Sequence, residues 1–162
     1  PSPVLAVPYL SGSMLYWENG RKAKGALIGL TLATSKTDVL KALMESIAYD
    51  HVNTLSLLTS EGVKVHRIRA SGGGSRSVWW TQLKADMTGV PIEVIDQPEP
   101  GTLGAALLAG HAIGIVHDVD EGAQAFSRPS RTYEPQPRRA EGRSEKLEAY
   151  QKLVSNLIAT VF

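Results

Sequence analysis

Cysteine is absent from this chain of 162 residues. Without a thiol there can be no disulfide framework, no thiolate zinc site and no cysteine nucleophile. Long apolar runs are lacking as well, because no segment reaches the roughly 18 apolar residues that would span a bilayer. We therefore expect no membrane partner, and a chain without disulfides is compatible with a cytoplasmic location. The chain begins with Pro1 and has no signal-peptide pattern, so we expect it to be a piece of a longer protein.

An excess of charge of either sign is also missing. The chain has 17 Lys and Arg against 16 Asp and Glu, which gives a net charge of +1. That balance offers no electrostatic reason to expect nucleic acid as a partner. The length fits one domain over residues 1–162 that is large enough to bury a core.

The first half of the chain predicts two strands and a long helix. A short strand is expected in "VLAVPYLSG", and the apolar run Gly25–Ala33 is typical of a buried strand. Ser35 and Asp38 have the spacing of a capping box, which predicts that a helix begins there. An apolar stripe at helical period continues this helix, and its members are Val39, Leu40, Leu43, Met44, Ile47, Ala48, Val52 and Leu55.

The second half alternates strands and helices. Strands are expected before the glycines of "RIRASGGG" and in "VPIEVI", with a helix over Ser75–Met87 between them. Pro100 and Thr102 mark the start of a small-residue helix, "DVDEGAQAF" favours a short one, and a final helix begins at Ser144. The polar stretch "SRPSRTYEPQPRRAEGR" has room for one edge strand. The alternation predicts an α/β fold with a mixed sheet flanked by helices.

Three consecutive glycines, Gly72, Gly73 and Gly74, separate a predicted strand from a predicted helix. Such a loop is a natural anion or nucleotide site, because the first N–H groups of a helix have no internal partner and glycine lets a ligand reach the backbone. The loop does not match the dinucleotide signature, since Ser77 stands where a third glycine is needed. No Lys-Ser or Lys-Thr follows, so it is not a Walker A loop. The residues alone leave a plain tight turn and a nucleotide site both open.

Three blocks of sequence carry a family resemblance. "GALIGLTLATSKTDVLKALMESIAYD" resembles the C-terminal signature of the FGGY carbohydrate kinases, with Gly25, Gly29, Leu30, Asp38, Ala42 and Glu45 in the expected places. "SGGGSRSVWWTQLKADMTGVPIEV" is similar to that family's adenosine-loop segment, and "EPGTLGAALLAGHAIG" to the block that follows it. The blocks occur in family order and cover most of residues 4–125. One departure stands out, because Ser13, Met14 and Leu15 replace the Glu-Arg-Thr part of the family's P-Y-L-x-G-E-R-x-P-x-W.

The resemblance implies a ribonuclease-H-like, actin-like ATPase domain, the nucleotide-side half of a sugar kinase. Such kinases transfer the γ-phosphoryl group of MgATP to a hydroxyl of a sugar or polyol. It implies nucleotide binding by Gly72, Gly73, Gly74, Ser75 and Ser77, with Gly73 and Gly74 against the adenosine and Ser77 reaching the adenine. The catalytic base and the sugar-binding half are expected upstream, so we expect no catalytic residue and no metal ligand in this chain. Gln82 and Asp86 are expected to serve packing and capping.

The remaining polar and aromatic residues have simpler interpretations. Glu45 could serve a site, although a glutamate on a helix face is more often solvated or caps a neighbouring loop. Asp96 and Glu99 are better placed for a cleft, although turn formation around Pro98 and Pro100 is the commoner role. Four scattered histidines show no metal-ligand spacing. One of Trp79 and Trp80 is expected in the core, and the basic residues of 138–143 are expected to be neutralised at the surface. Gly101, Gly104 and Gly110 are expected to allow close helix packing.

Two other functions remain open at this stage. The altered stretch after Gly12 is compatible with a nucleotide-binding or regulatory module that kept the fold without the chemistry. A fragment that assembles through exposed apolar surface, as in a homodimer, is the weaker alternative.

Overall fold

A computed structural model describes residues 1–13, 20–95, 99–126, 128–136 and 144–160. These residues form the strands β1 (Leu5–Val7), β2 (Ala26–Ile28), β3 (Ile68–Ala70), β4 (Ile92–Ile95) and β5 (Pro129–Tyr133). The helices are α1 (Lys36–Ser60), α2 (Val78–Thr88), α3 (Pro100–Ala112), α4 (Val119–Phe126) and α5 (Ser144–Thr160). The predicted α/β class is confirmed. Across the described residues, no helix is both long and apolar enough to span a bilayer.

The elements fall into two compact units. The first unit holds β1, β2, α1, α5 and the last three residues of α2. The second holds β3, β4, β5, α3, α4 and the rest of α2. The expectation of one domain over residues 1–162 stays a prediction.

The strand β2 is shorter and more exposed than the sequence predicts. It pairs antiparallel with β1, with Ala26 opposite Val7. Gly29 then adopts φ +86°, a left-handed conformation that ends the extended strand after three residues. Beyond it Leu30 is 54% exposed and Leu32 is fully exposed. The expectation of a buried strand over Gly25–Ala33 is therefore wrong, because Leu27 and Ile28 are already exposed within β2 and the strand ends before Gly29.

The start of α1 is formed as the sequence predicts. Ser35 caps the helix, its Oγ accepting the Asp38 N–H at 3.2 Å, and the Ser35 N–H donates to Asp38 Oδ2 at 2.9 Å. The Ser35 hydroxyl, which lies 2.7 Å from Asp38 Oδ2 and donates to it, and the Ser35 N–H together lower the pKa of the Asp38 carboxyl. The buried face of α1 differs from the apolar stripe, since Leu40 is 62% exposed. The residues that α1 buries are Ala42, Glu45, Ser46, Ala48 and Tyr49.

Glu45 is buried rather than solvated, and it has the other role expected from the sequence, which is to cap a neighbouring loop. Its exposed fraction is 1%, and its Oε2 accepts the Ser2 N–H at 3.0 Å. Lys146 of α5 donates to the Val4 carbonyl at 3.3 Å. The carboxylate thus fixes the residues that lead into β1, and this structural role explains a charge inside the first unit.

A cluster of two phenols and one carboxyl joins the chain just after β1 to α1 and α5. The hydroxyls of Tyr9 and Tyr150 both donate to Asp50 Oδ1 at 2.8 Å and lie 3.2 Å from each other. Tyr9 is 4% exposed and Tyr150 is fully buried. The Tyr49 ring packs against Tyr150 with centroids 5.3 Å apart. Burial of polar groups is costly unless they are hydrogen-bonded, so this cluster depends on all three members.

Burial sets the ionisation of this cluster. It raises the pKa of the Asp50 carboxyl, and the bonds from Tyr9 and Tyr150 offset only part of that effect. Burial likewise raises the pKa of the Tyr150 phenol, and its bond to Tyr9 and the nearby Asp50 charge raise it further. The Tyr150 phenol therefore remains a protonated donor at physiological pH.

The second unit contains a three-stranded mixed sheet in the order β3-β4-β5. The strands β3 and β4 are parallel, with Ile68 opposite Ile92, and β5 runs antiparallel to β4. This arrangement confirms the mixed sheet and the edge strand. One face of the sheet packs against α2 through Ala85, Ile92 and Tyr133. The carboxyl ends of β3 and β4 then lie together at one edge.

Replacing Asp50 by Asn should change how stability depends on pH. The pKa of Asp50 is raised in the folded state. The contribution of its protonated carboxyl to the free energy of unfolding is therefore complete below the unfolded-state pKa of about 3.8 and is lost as the pH rises through the folded-state pKa. We expect the free energy of unfolding of Asp50→Asn, relative to wild type, to increase between pH 4 and pH 7 in urea titrations. Glu148→Gln is the control, since Glu148 is exposed on α5. If the free energy of unfolding of Asp50→Asn, relative to wild type, fell as the pH rose, the raised pKa of Asp50 would be contradicted.

Candidate functional site: the glycine turn

The glycine loop forms a closed turn between β3 and α2. Gly72 has φ +80°, which only glycine adopts readily. A 3₁₀ turn follows over Gly73–Arg76. The Ser75 N–H and Oγ–H both donate to the Gly72 carbonyl, at 3.2 and 2.8 Å. Two donors on one carbonyl fix the shape of the turn, and Ser75 is only 7% exposed.

Two sides of this turn are occupied by the protein itself. The Ser75 carbonyl accepts the Thr81 hydroxyl at 3.2 Å, which ties the buried side to α2. A Cβ at Gly74 would lie 3.1 Å from the Trp80 ring. Gly74 therefore makes room for Trp80, so its side of the turn is a packing contact rather than open space. The sequence could not show which glycine serves which purpose.

The remaining side of the turn is open. A Cβ at Gly73 would have no atom within 4 Å. In a 3₁₀ turn, side chains three residues apart are eclipsed, so Arg76 projects from the same side as Gly73, and it is exposed. A Cβ at Gly72 would also meet no atom within 4 Å, but Gly72 is required there for its positive φ, so we define the free face of the turn by Gly73 and Arg76. Arg76 was not among the site residues predicted from the sequence. The three-residue spacing between Gly73 and Arg76 is the signal that could have identified Arg76 as part of this face.

Ser77 begins α2 rather than pointing freely from the turn. Its Oγ accepts the Trp80 N–H at 3.4 Å, as an N-cap does. The Lys84 ammonium lies 4.1 Å from the centre of the Trp80 ring, a cation–π contact, and burial lowers the pKa of Lys84. Trp79 is 44% exposed. Of the two tryptophans, Trp80 is the one that packs below the turn.

The polar residues farther along α2 hold the chain that follows β5. Gln82 Nε2 donates to the Glu134 carbonyl at 2.8 Å, within the second unit. Asp86 Oδ1 accepts the Gln136 N–H at 2.9 Å, within the first unit. Both side chains therefore serve packing and capping, as the sequence predicts.

A small cavity adjoins the turn at the carboxyl ends of β3 and β4. Its volume is about 220 Å³, and its lining is mostly apolar. The residues that define it are Arg69, Ser71, Ile95, Leu103, Gly104 and Leu107. Arg69 is already paired, because Glu93 accepts from both Arg67 at 3.0 Å and Arg69 at 3.3 Å. Ligands in α/β sheets bind at such strand ends, so the cavity marks the same edge as the turn.

Several other sequence candidates lie away from this site. Glu99 is exposed and makes no side-chain cap for α3, whereas Asp96 and the basic residues of 138–143 lie outside the described residues. Close packing holds for Gly110, where a Cβ would meet Val116 at 2.8 Å, but is wrong for Gly101 and Gly104, where it would meet nothing. In the described part of the chain, no group of three acidic or histidine side chains could hold a metal ion.

The α/β architecture with a mixed sheet flanked by helices is that of sugar kinases of the actin-like ATPase fold. A profile described as the FGGY family of carbohydrate kinases, C-terminal domain, matches residues 1–113. The chain therefore belongs to the FGGY family of carbohydrate kinases and represents its C-terminal domain. The resemblance of the three sequence blocks is confirmed.

Individual relatives agree with this assignment. The glycerol kinase of Pseudothermotoga lettingae is 37% identical over 122 residues, which are 75% of this chain and 24% of that protein. The ligand-bound xylulose kinase of Lactobacillus acidophilus superposes with a TM-score of 0.78 at 29% identity, over 97% of this chain and 32% of that one. The glycerol kinase of Plasmodium falciparum with ADP superposes with a TM-score of 0.72 at 26% sequence identity, over 96% of this chain and 31% of that one. The chain thus spans about a quarter to a third of these proteins.

Alanine at each glycine of the turn should separate their roles. Gly72→Ala places a side chain at φ +80°, and Gly74→Ala presses on Trp80, so each should lower the free energy of unfolding by about 1 kcal/mol. Gly73→Ala meets nothing and should leave stability equal or raise it by up to about 1 kcal/mol. Urea unfolding of the three variants measures this order. Equal losses at all three positions would contradict the single open face.

Proposed function

We propose that this chain is the ATP-binding part of a carbohydrate kinase, which transfers the γ-phosphoryl group of MgATP to a hydroxyl of a sugar or polyol. Membership of the FGGY family supports the reaction class, and the crystal structure of the related Plasmodium falciparum glycerol kinase is one with ADP. The observation that carries the proposal is the open face of the glycine turn, where nothing of the protein approaches Gly73. In the kinase, the sugar or polyol would be bound by parts of the protein beyond this chain.

The five residues of the proposed nucleotide site divide their tasks. Gly72 and Ser75 fix the turn, Gly74 seats Trp80, and Ser77 caps α2. Gly73 is left as the backbone surface on which a flat adenosine rests, because it has no Cβ to hold the ligand away. Four of the five thus shape the site, and Gly73 meets the ligand.

The phosphates, the magnesium ion and the base need further groups. Phosphoryl transfer depends on positioning and charge neutralisation around the γ-phosphate. The described residues provide no cluster of carboxylates for magnesium, so we propose that the metal accompanies the ATP phosphates and that the catalytic base lies outside this chain. The cytoplasmic location and a homodimer stay predictions. A non-catalytic nucleotide-binding module remains the alternative, favoured by Ser13, where the family has Glu.

Blocking the open face should weaken ATP binding without unfolding the protein. We expect Gly73→Leu to reduce affinity for ATP at least tenfold, because the new side chain occupies the space proposed for the nucleoside. Isothermal titration calorimetry with ATP measures the affinity, and urea unfolding verifies stability. Ala109→Leu adds the same side chain on the exposed face of α3 and is the matched control. Equal ATP affinity in both variants would rule out the proposed site.

The 162-residue chain by itself should not turn over ATP. When the chain is mixed with MgATP and a panel of pentoses and polyols, we expect a coupled assay to detect no ADP above background. The reason is that the proposed catalytic base and sugar site lie outside this chain. The same protein should still bind ATP in the calorimeter. Sugar-dependent ADP release would overturn the placement of the base outside this chain.

A further inference from the structure

The open face of the glycine turn carries a cation that has no assigned role. Arg76 ends the 3₁₀ turn and is exposed. Within the described residues no hydrogen bond, ion pair or ring contact of its side chain is found. Between His66 and Ala85 the sequence has four cations, Arg67, Arg69, Arg76 and Lys84, and no carboxylate. Arg76 therefore has no neutralising neighbour along its own segment.

The other cations of this segment are already engaged. Arg67 and Arg69 share the Glu93 carboxylate, and Lys84 lies over the Trp80 ring. Of these four cations, only the Arg76 guanidinium is uncommitted at the turn. Its position follows from turn geometry, because residues three apart in a 3₁₀ turn stand one above the other. The side chain thus rises beside the vacant Cβ direction of Gly73.

The turn offers a flat ligand an open backbone surface at Gly73, and two of the N–H groups near it are already engaged. A phosphate needs several free N–H donors, as at other helix N-termini. Here the Ser75 N–H is bound to the Gly72 carbonyl, and the Trp80 N–H is bound to Ser77 Oγ. A planar base, in contrast, needs only an unobstructed backbone surface and a second surface to cover it. Gly73 supplies the first of these, and a planar guanidinium is suited to the second.

From this geometry we infer that Arg76 is a nucleobase-binding residue whose guanidinium stacks on the face of the purine that rests on Gly73. This inference depends on the proposed nucleotide site. The base lies between the Gly73 backbone and the Arg76 plane, and the cation is attracted to the π-system of the ring. Arg76 then determines affinity for the nucleoside and does not contact the phosphates.

Titration with adenosine and with ATP tests this assignment. Arg76→Ala should weaken binding of both ligands by the same factor, roughly 3- to 10-fold, since the lost contact is to the base they share. Arg76→Lys keeps the charge but not the planar fork, and it should also bind both ligands less tightly than wild type. Arg128→Ala is the control, because Arg128 is an exposed arginine of the same unit, and it should leave both affinities unchanged. NMR titration to millimolar ligand gives the dissociation constants.

The possible failures are distinguishable. If wild type binds ATP and adenosine but Arg76→Ala binds them equally well, only the role of Arg76 is overturned. If the loss is confined to ATP, the guanidinium contacts phosphate and the stacking assignment is also overturned. If wild type binds neither ligand, the nucleotide site itself is wrong, and the inference falls with it. Full Arg76→Lys binding beside weakened Arg76→Ala binding would show that charge alone is recognised, which again contradicts stacking.

Discussion

The pair of hydrogen bonds from Ser75 to the Gly72 carbonyl is the constraint on which the candidate site depends. Both bonds require the left-handed conformation of Gly72, and together they turn the chain tightly between β3 and α2. Once the turn is closed, its three sides have fixed purposes. One is buried against α2, one receives Trp80, and one is left open at Gly73.

The first unit is organised by a different kind of constraint. Its helices bury polar groups, and these groups are satisfied by one another, which joins α1 to α5 and to the chain just after β1. The Asp50 carboxyl holds two phenols, and Glu45 holds the entry to β1. Removing one partner of such a network leaves the others buried without hydrogen bonds, which costs more than an apolar contact would. The polar network therefore determines which face of α1 is inside.

Local sequence rules predicted the elements well and their burial less well. The Ser35 and Asp38 pair gave the start of α1 because a capping box depends only on neighbouring residues. The burial of β2 was not predictable in the same way, because apolar composition alone does not say that Leu27 and Ile28 are exposed within the strand. The buried face of α1 was missed for a related reason, since Glu45 and Asp50 have partners far away in the sequence. Long-range pairing is not visible in a periodic pattern.

The site was predicted as a set of residues but not as a geometry. Family resemblance gave Gly72, Gly73, Gly74, Ser75 and Ser77. A Cβ at Gly72 or Gly73 would meet no atom within 4 Å, but Gly72 is needed for its positive φ, whereas Gly74 faces Trp80 and the two serines shape the turn and cap α2. Arg76 emerged only from the three-residue spacing within that turn. This distinction required knowing which atoms lie opposite each glycine.

Amide chemical-shift mapping with adenosine tests the central claim most directly. The account predicts that the largest shifts fall on Gly72, Gly73 and Arg76, with smaller ones on Trp80 and none on α5. Saturable shifts centred elsewhere, with the glycine turn unaffected, would contradict it.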